Sequence, residues 1–135
     1  MKSFDVQGID LSIPKGRAFA FISNPEALPR WTSAFASVSS GRAAMRTPGG
    51  EVMVDLDVQA SAEQGTVDWR MTFPDHSVAT AYSRVVELDR NRCIFSFVLT
   101  PPPVPLEQLE GALDVQSRTL AAELKALKGI LEHDG

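Results

Sequence analysis

Few side chains in this chain of 135 residues could do chemistry, and their spacing argues against most kinds of it. The two histidines, His76 and His133, fall on a polar turn and near the C-terminus. Neither belongs to an HxxxH, HExxH or CxxC pattern, so no metal site is expected. The single cysteine, Cys93, alternates with Phe95 and Phe97. A thiol in such a run behaves as a small hydrophobe and not as a nucleophile. Glu51, Asp55 and Asp57 resemble a carboxylate cluster, but they alternate with Val52, Val54, Leu56 and Val58, which turns the acids to a wet face. Acid–base work needs carboxyls in a cleft with shifted pKa values. Gly49-Gly50 precedes a strand and not a helix, so it is no phosphate loop. No catalytic residue, metal or cofactor is assigned.

One polar pair stands out by position. A helix over Leu106 to Leu131 carries leucines at 106, 109, 113, 120, 124, 127 and 131. Spacings of three and four place them on one face. The stripe is broken between Leu113 and Leu120, where Gln116 and Ser117 stand. Either they line an internal space and hydrogen-bond something within it, or they flank the stripe and meet water. Helical geometry puts them roughly 50° either side of its centre. A buried Gln116 would favour the first reading, because a buried amide needs partners.

The elements that position this helix are mostly strands. Ser3 to Ile13 alternates with a slip of parity at Gln7-Gly8, which predicts a bulge at Gly8. Pro14 opens a short helix to Ser23, and Pro25 to Arg30 forms a second helical turn that ends at Trp31. Trp31 is expected to fasten that turn to a sheet in preference to gating a pocket. Phe35–Ser40 and Arg42–Thr47 flank Gly41. Glu51–Gln59 and Gly65–Phe73 alternate cleanly, as an antiparallel sheet with one wet face requires. Coincidence of their apolar faces would set Asp55 opposite Arg70, a pair worth only ~0.2–1 kcal/mol. Ser77–Leu88 reads two ways. Ala79, Ala81, Ser83 and Val85 form one face and Val78, Tyr82 and Val86 the other, and a one-residue slip exchanges them. Arg92–Thr100 is the last strand. The prolines from Pro101 to Pro105 cannot join a sheet. The result is an α+β chain: one strand, two short helices, six strands and a long helix, which is the only element large enough to cover a curved sheet.

Composition bounds the rest. The length suits one domain over residues 1–135 with a real core. Hydrophobic residues make up 44% and charged residues 22%, a balance ordinary for a soluble globular chain. A formal net charge of -4 disfavours non-specific binding to nucleic acid. No apolar run is long enough for stable membrane insertion. The N-terminal residues lack the apolar core of a secretory signal, so the cytoplasm is the default address. One cysteine forms no internal disulfide.

The stretch Ile13-Pro14-Lys15-Gly16-Arg17-Ala18-Phe19-Ala20-Phe21-Ile22-Ser23-Asn24-Pro25-Glu26-Ala27-Leu28-Pro29-Arg30-Trp31 resembles the N-terminal signature of the START and polyketide-cyclase superfamily, which includes the birch-pollen-allergen-like proteins. The amphipathic C-terminal helix matches as well. The resemblance implies a helix-grip fold, a seven-stranded antiparallel sheet wrapped around the last helix, with a cavity for an apolar molecule between them. In that arrangement a lipid, sterol or polyketide-like ligand would meet Trp69, Met71, Phe95, Phe97, Leu113 and Leu120, with Gln116 as a polar anchor. Small residues at 79, 81 and 83 beside these aromatics would leave it room. The alternative is a cyclase- or dehydratase-type enzyme in the same cavity. Its only acid–base candidates are Tyr82 and Arg84, and they serve only if the second face of Ser77–Leu88 points inward. A third reading is protein interaction. Ile94 and Val98, outward on the last strand, would belong to an apolar patch, which leaves a homodimer through that sheet face open.

Overall fold

The computed structural model describes residues 4–47, 50–100 and 106–133, apart from the side chains of Thr47 and of residues 106–113. The strands are β1 (Asp5–Leu11), β2 (Phe35–Ser39), β3 (Arg42–Thr47), β4 (Gly50–Ser61), β5 (Thr66–Thr72), β6 (Val78–Asp89) and β7 (Arg92–Leu99). Between β1 and β2 lie α1 (Lys15–Ile22), a 3-10 turn (Pro25–Ala27) and α2 (Leu28–Trp31). The chain ends in α3 (Leu106–His133). The strands form one antiparallel sheet in the order β1-β7-β6-β5-β4-β3-β2. All but β1 follow in sequence as a meander. The first strand crosses to the far edge, beside the last, and the two short helices span that crossing.

The alternation in β4, β5 and β7 places one face of the sheet under α3. Val54, Leu56, Val67, Trp69, Met71, Cys93 and Phe95 are buried there. Leu120, Leu124, Leu127 and Leu131 close over them, each 5% exposed or less. These are four of the seven leucines of the stripe read from the sequence, the side chains of the other three lying outside the described residues, and their burial is the main term holding the helix in place. No helix among the described residues is long and apolar enough to cross a membrane.

Three local expectations are corrected. There is no bulge at Gly8, because β1 pairs with β7 without a break from Asp5 to Leu11. The regular alternation turns Asp5 and Gln7 inward and leaves Val6 53% exposed. Gln7 is accommodated because its Nε2 donates to Asp5 Oδ2 and to the Ser117 carbonyl, both at 2.8 Å. Asp55 does not face Arg70. It stands opposite Thr72 and Arg42, while Asp57 takes the place beside Arg70. The contact Asp55 makes is with Arg42, at 3.5 Å on the exposed face. Finally, Pro14 is the cap before α1 and not its first residue.

The C-terminal end of α3 is tied to β1. Lys128 Nζ donates to the Asp10 carbonyl at 2.7 Å and to Glu132 Oε2 at 2.8 Å. The same Glu132 oxygen accepts from the Ser12 N–H at 2.8 Å. The bond from Lys128, and then that from Ser12, hold the Glu132 carboxyl below its ordinary value of 4.5. A carboxyl lowered on folding contributes stability that is full above its ordinary value and is lost as pH falls through the lowered one. Glu132→Gln is therefore expected to lower Tm near pH 7, by a small amount for so accessible a pair, and to match the parent protein once acid has protonated the carboxyl in the folded state as well as the unfolded. Melting curves across the acid range check this; a constant offset at every pH would show that the charge is not the cause.

Candidate functional site

The space beneath α3 is not filled. Among the described residues it holds a cavity of about 560 Å³. Ligand sites commonly span roughly 300–1,000 Å³. Register explains why room is left there. Across β5 and β6, Met71 stands opposite Ala79, Trp69 opposite Ala81, and Val67 opposite Ser83. Each large side chain therefore has a small neighbour. The inward set of β6 is Ala79, Ala81, Ser83 and Val85, the first of the two faces considered above. Ser83 is buried, and its hydroxyl donates to the Val67 carbonyl at 2.6 Å. It belongs to the frame of the sheet.

The inner wall of the cavity is aromatic and aliphatic. Trp69 and Phe97 stack with centroids 5.9 Å apart at 24°. Trp31 leans on Trp69 at 6.3 Å and meets the Phe95 ring edge-on at 6.1 Å. Trp31 is 5% exposed, so it fastens α2 to the sheet as expected. It also borders the cavity, a second role that the packing argument alone did not supply. Both indole nitrogens, Trp31 Nε1 and Trp69 Nε1, are buried without a hydrogen-bond partner.

The mouth is polar. Gln116, Thr119 and Glu123 reach it from α3, and Thr32, Ser33 and Arg46 from the opposite side. Residues 116, 119 and 123 share a helical face because they are three and four apart. Glu123 latches the two sides together. Its Oε2 accepts from Thr32 Oγ1 at 2.6 Å, from Ser33 Oγ at 3.2 Å, and from the Ser33 N–H by a short bond. Arg46 Nη1 donates to the Ser33 carbonyl at 3.0 Å and grazes that of Phe35 at 3.5 Å. The two ionisable groups among the described lining residues are therefore bonded to the loop between α2 and β2.

Of the residues expected to meet a ligand, Trp69, Met71, Phe97, Gln116 and Leu120 border this cavity. Phe95 does not. It is fully buried behind Trp31 and Phe97 and supports them. The side chain of Leu113 lies outside the described residues. Gln116 and Ser117 separate as their helical angles imply. Gln116 faces the cavity mouth, while the Ser117 carbonyl receives Gln7 from β1. Tyr82 is 47% exposed and Arg84 is exposed on the outer face, so neither supplies an acid or base to the cavity. Cys93 is buried, and burial raises its thiol pKa, as for an inert core cysteine. No cluster of three or more His, Cys, Asp or Glu suited to a metal occurs among the described residues. Sequence reasoning missed Arg46, Glu123 and the Thr32–Ala34 loop, whose grouping depends on contacts some 90 residues apart. On the outer face Val6, Val98 and Tyr82 stand side by side across β1, β7 and β6; Ile94 pairs with Val86 two same-face positions along, beyond the row of Gly8, Ser96 and Arg84.

Comparison with solved structures shows a shared fold. A START superfamily protein from Mycobacterium smegmatis superposes with a TM-score of 0.71 at 15% identity, over 98% of this chain and 99% of that one. This chain shares the fold of that START superfamily protein. A second helix-grip neighbour is the Zhui aromatase/cyclase from Streptomyces sp. R1128, with a TM-score of 0.66 at 13% identity over 96% and 93% of the two chains. A third, DynU16 from the dynemicin biosynthetic locus, has a TM-score of 0.63 at 10% identity, over 98% of this chain and 48% of that one. No protein-family model and no curated protein matches the sequence. Identities this low carry the fold alone.

Proposed function

We propose that this protein binds a small, mainly apolar molecule of lipid, sterol or polyketide-like character between the sheet and α3. The observation that carries the reading is the cavity of about 560 Å³, lined mainly by apolar side chains, with its charged groups Glu123 and Arg46 bonded to the segment between α2 and β2. A tightly packed core would leave few voids larger than a water molecule, and an unfilled space of this size forfeits dispersion contacts that a ligand restores. Gln116 and Thr119 at the mouth would meet the polar end of an amphiphile, and Met71, Phe97 and Leu120 its apolar body. Helix-grip neighbours that include an aromatase/cyclase agree with a ligand-holding fold. The cyclase alternative finds less support, since Tyr82 and Arg84 lie on the outer face.

Thermal-shift measurements against fatty acids, sterols and aromatic polyketide-like compounds test the proposal. A true ligand at a hundred times its Kd adds about 2.7 kcal/mol to stability. At least one class is expected to raise Tm in a saturable way. No shift with any class, together with an experimental structure in which the space is filled by side chains, would overturn it.

A further inference from the structure

The outer face of the sheet, turned away from α3 and the cavity, is divided in two. Its β3–β5 half carries charges, with Arg42 beside Asp55 and Asp57 beside Arg70. Its β1-β7-β6 half is apolar. Eight large hydrophobic side chains are well exposed among the described residues, and six of them are Phe4, Val6, Val78, Tyr82, Val86 and Leu88. All six belong to β1, to the residue before it, or to β6, the two strands that flank β7. Ile94 and Val98 of β7 stand between them, half-buried. Single exposed hydrophobics are ordinary, but a contiguous group marks a contact surface.

The pattern of this half fits a second copy of itself. Cross-strand pairing lays its side chains in rows. Val6, Val98 and Tyr82 form one row, and Gly8, Ser96 and Arg84 the next. The first is bulky throughout; the second is low at Gly8 and Ser96 and ends in a cation. Consider a twofold axis lying between two facing sheets and crossing the strands midway between these rows. It exchanges the rows. Val6 and Val98 of each copy then stand over Gly8 and Ser96 of the other, large over small. Tyr82 of each stands over Arg84 of the other, and a guanidinium on a tyrosine ring is favourable. Asp68 pairs with Tyr82 across β5 and β6, so the arriving Arg84 also meets a carboxylate. Arg84 Nε donates to the Gln64 carbonyl at 3.1 Å, which leaves its two Nη groups for these contacts. A twofold interface requires such self-complementarity. An anionic lipid surface suits the face less well, since Asp10 and Asp68 border it and the chain carries a net charge of -4.

We propose that two copies of this chain associate through the β1-β7-β6 face about that axis. Four rows about 6.8 Å apart, over four strands about 4.8 Å apart, cover roughly 500 Å² of each copy, about 1,000 Å² in all. That is the lower end for a specific interface, so the dimer is expected to be weak, with a micromolar Kd. The cavity lies on the other face, and the dimer leaves it free.

Sedimentation equilibrium of the full chain from about 1 µM to about 500 µM tests this, and the average mass is expected to rise from one chain toward two. Val98→Glu puts a charge at the centre of the face and should keep the chain monomeric throughout. Arg84→Glu sets an acid against Asp68 of the other copy and should weaken the dimer at least tenfold. Arg84→Glu combined with Asp68→Arg should restore it, because the pair re-forms with its signs exchanged. A damaged fold would not be repaired by a second charge reversal, so the rescue separates a lost contact from a lost structure. A parent chain that stays monomeric at the highest concentration would overturn the proposal. So would a dimer indifferent to Val98→Glu and Arg84→Glu, or a double variant that dimerises no more tightly than Arg84→Glu alone. Flotation of a monomeric parent chain with phosphatidylcholine–phosphatidylglycerol vesicles, lost in Val98→Glu, would overturn it in favour of a lipid surface.

Discussion

Replacing Gly65 by alanine is expected to destabilise the protein by roughly 2–5 kcal/mol, the sum of a left-handed backbone penalty and an overpacking cost. Gly65 closes the turn between β4 and β5 with φ at 78°, a conformation that side-chain-bearing residues adopt at a cost. Its carbonyl accepts from the Val85 N–H at 2.8 Å, and its own N–H donates to Ser61 at 2.7 Å. A Cβ there would overlap the Val85 carbonyl oxygen, which is backbone and cannot swing aside. Relief would require β5 and β6 to part where Val67 and Val85 are fully buried. For a domain of this size the midpoint of thermal unfolding should fall on the order of 10 °C. Gly129→Ala provides the contrast. It lies within α3, and a Cβ there meets nothing within 4 Å. Alanine at that position should be neutral or add up to about 1 kcal/mol, since glycine is a poor helix residue. Equal melting temperatures for the two variants would show that the Gly65 turn yields more readily than its geometry implies.

Ala81→Phe is expected to abolish ligand binding with little loss of stability. Ala81 borders the cavity directly opposite Trp69 on the neighbouring strand. A phenyl ring there projects into open space and not into a packed core, so the usual overpacking cost of ~1–3 kcal/mol should be largely avoided. Added aromatic contact offsets part of what remains. The ring would occupy the volume a ligand needs beside Trp69, and affinity for any ligand found by the thermal screen should drop by at least tenfold, about 1.4 kcal/mol. Tyr82→Ala is the control. Tyr82 is the next residue, on the opposite face, and its loss should leave the affinity unchanged. The pair compares two adjacent residues that differ in which face they occupy. Unchanged affinity in Ala81→Phe would place the binding surface elsewhere.

The same two residues show how far the sequence could be read. The alternation of β4, β5 and β7 was plain because valine, leucine and phenylalanine recur against charged residues, a signal local to each strand. In β6 both faces are moderately apolar. Val78, Tyr82 and Val86 look as fit for a core as Ala79, Ala81 and Val85, and the small set is inward because its neighbours Trp69 and Phe97 take the room. That information sits on other strands. The slip of parity in β1 was misread for a related reason. An inward Gln7 looks like a defect until the carbonyl of Ser117 is placed above it, 110 residues away. The exchange of Asp55 for Asp57 beside Arg70 followed from turn lengths, which alternation does not constrain.

By itself, the sequence determined the elements, their order, the leucine face of α3 and the apolar inner face of the sheet. Those properties arise from periodicity and from residue preferences over a few positions. Tertiary structure alone decided which face of β6 lines the cavity, that Phe95 stands behind the wall, and that Glu123 latches α3 to the Thr32–Ser33 loop. It also brought Trp31 from α2 beside Trp69 from β5. A cavity is the difference between the space its walls enclose and the side chains that fill it. That difference depends on registers and crossings between distant segments, and no local pattern records it.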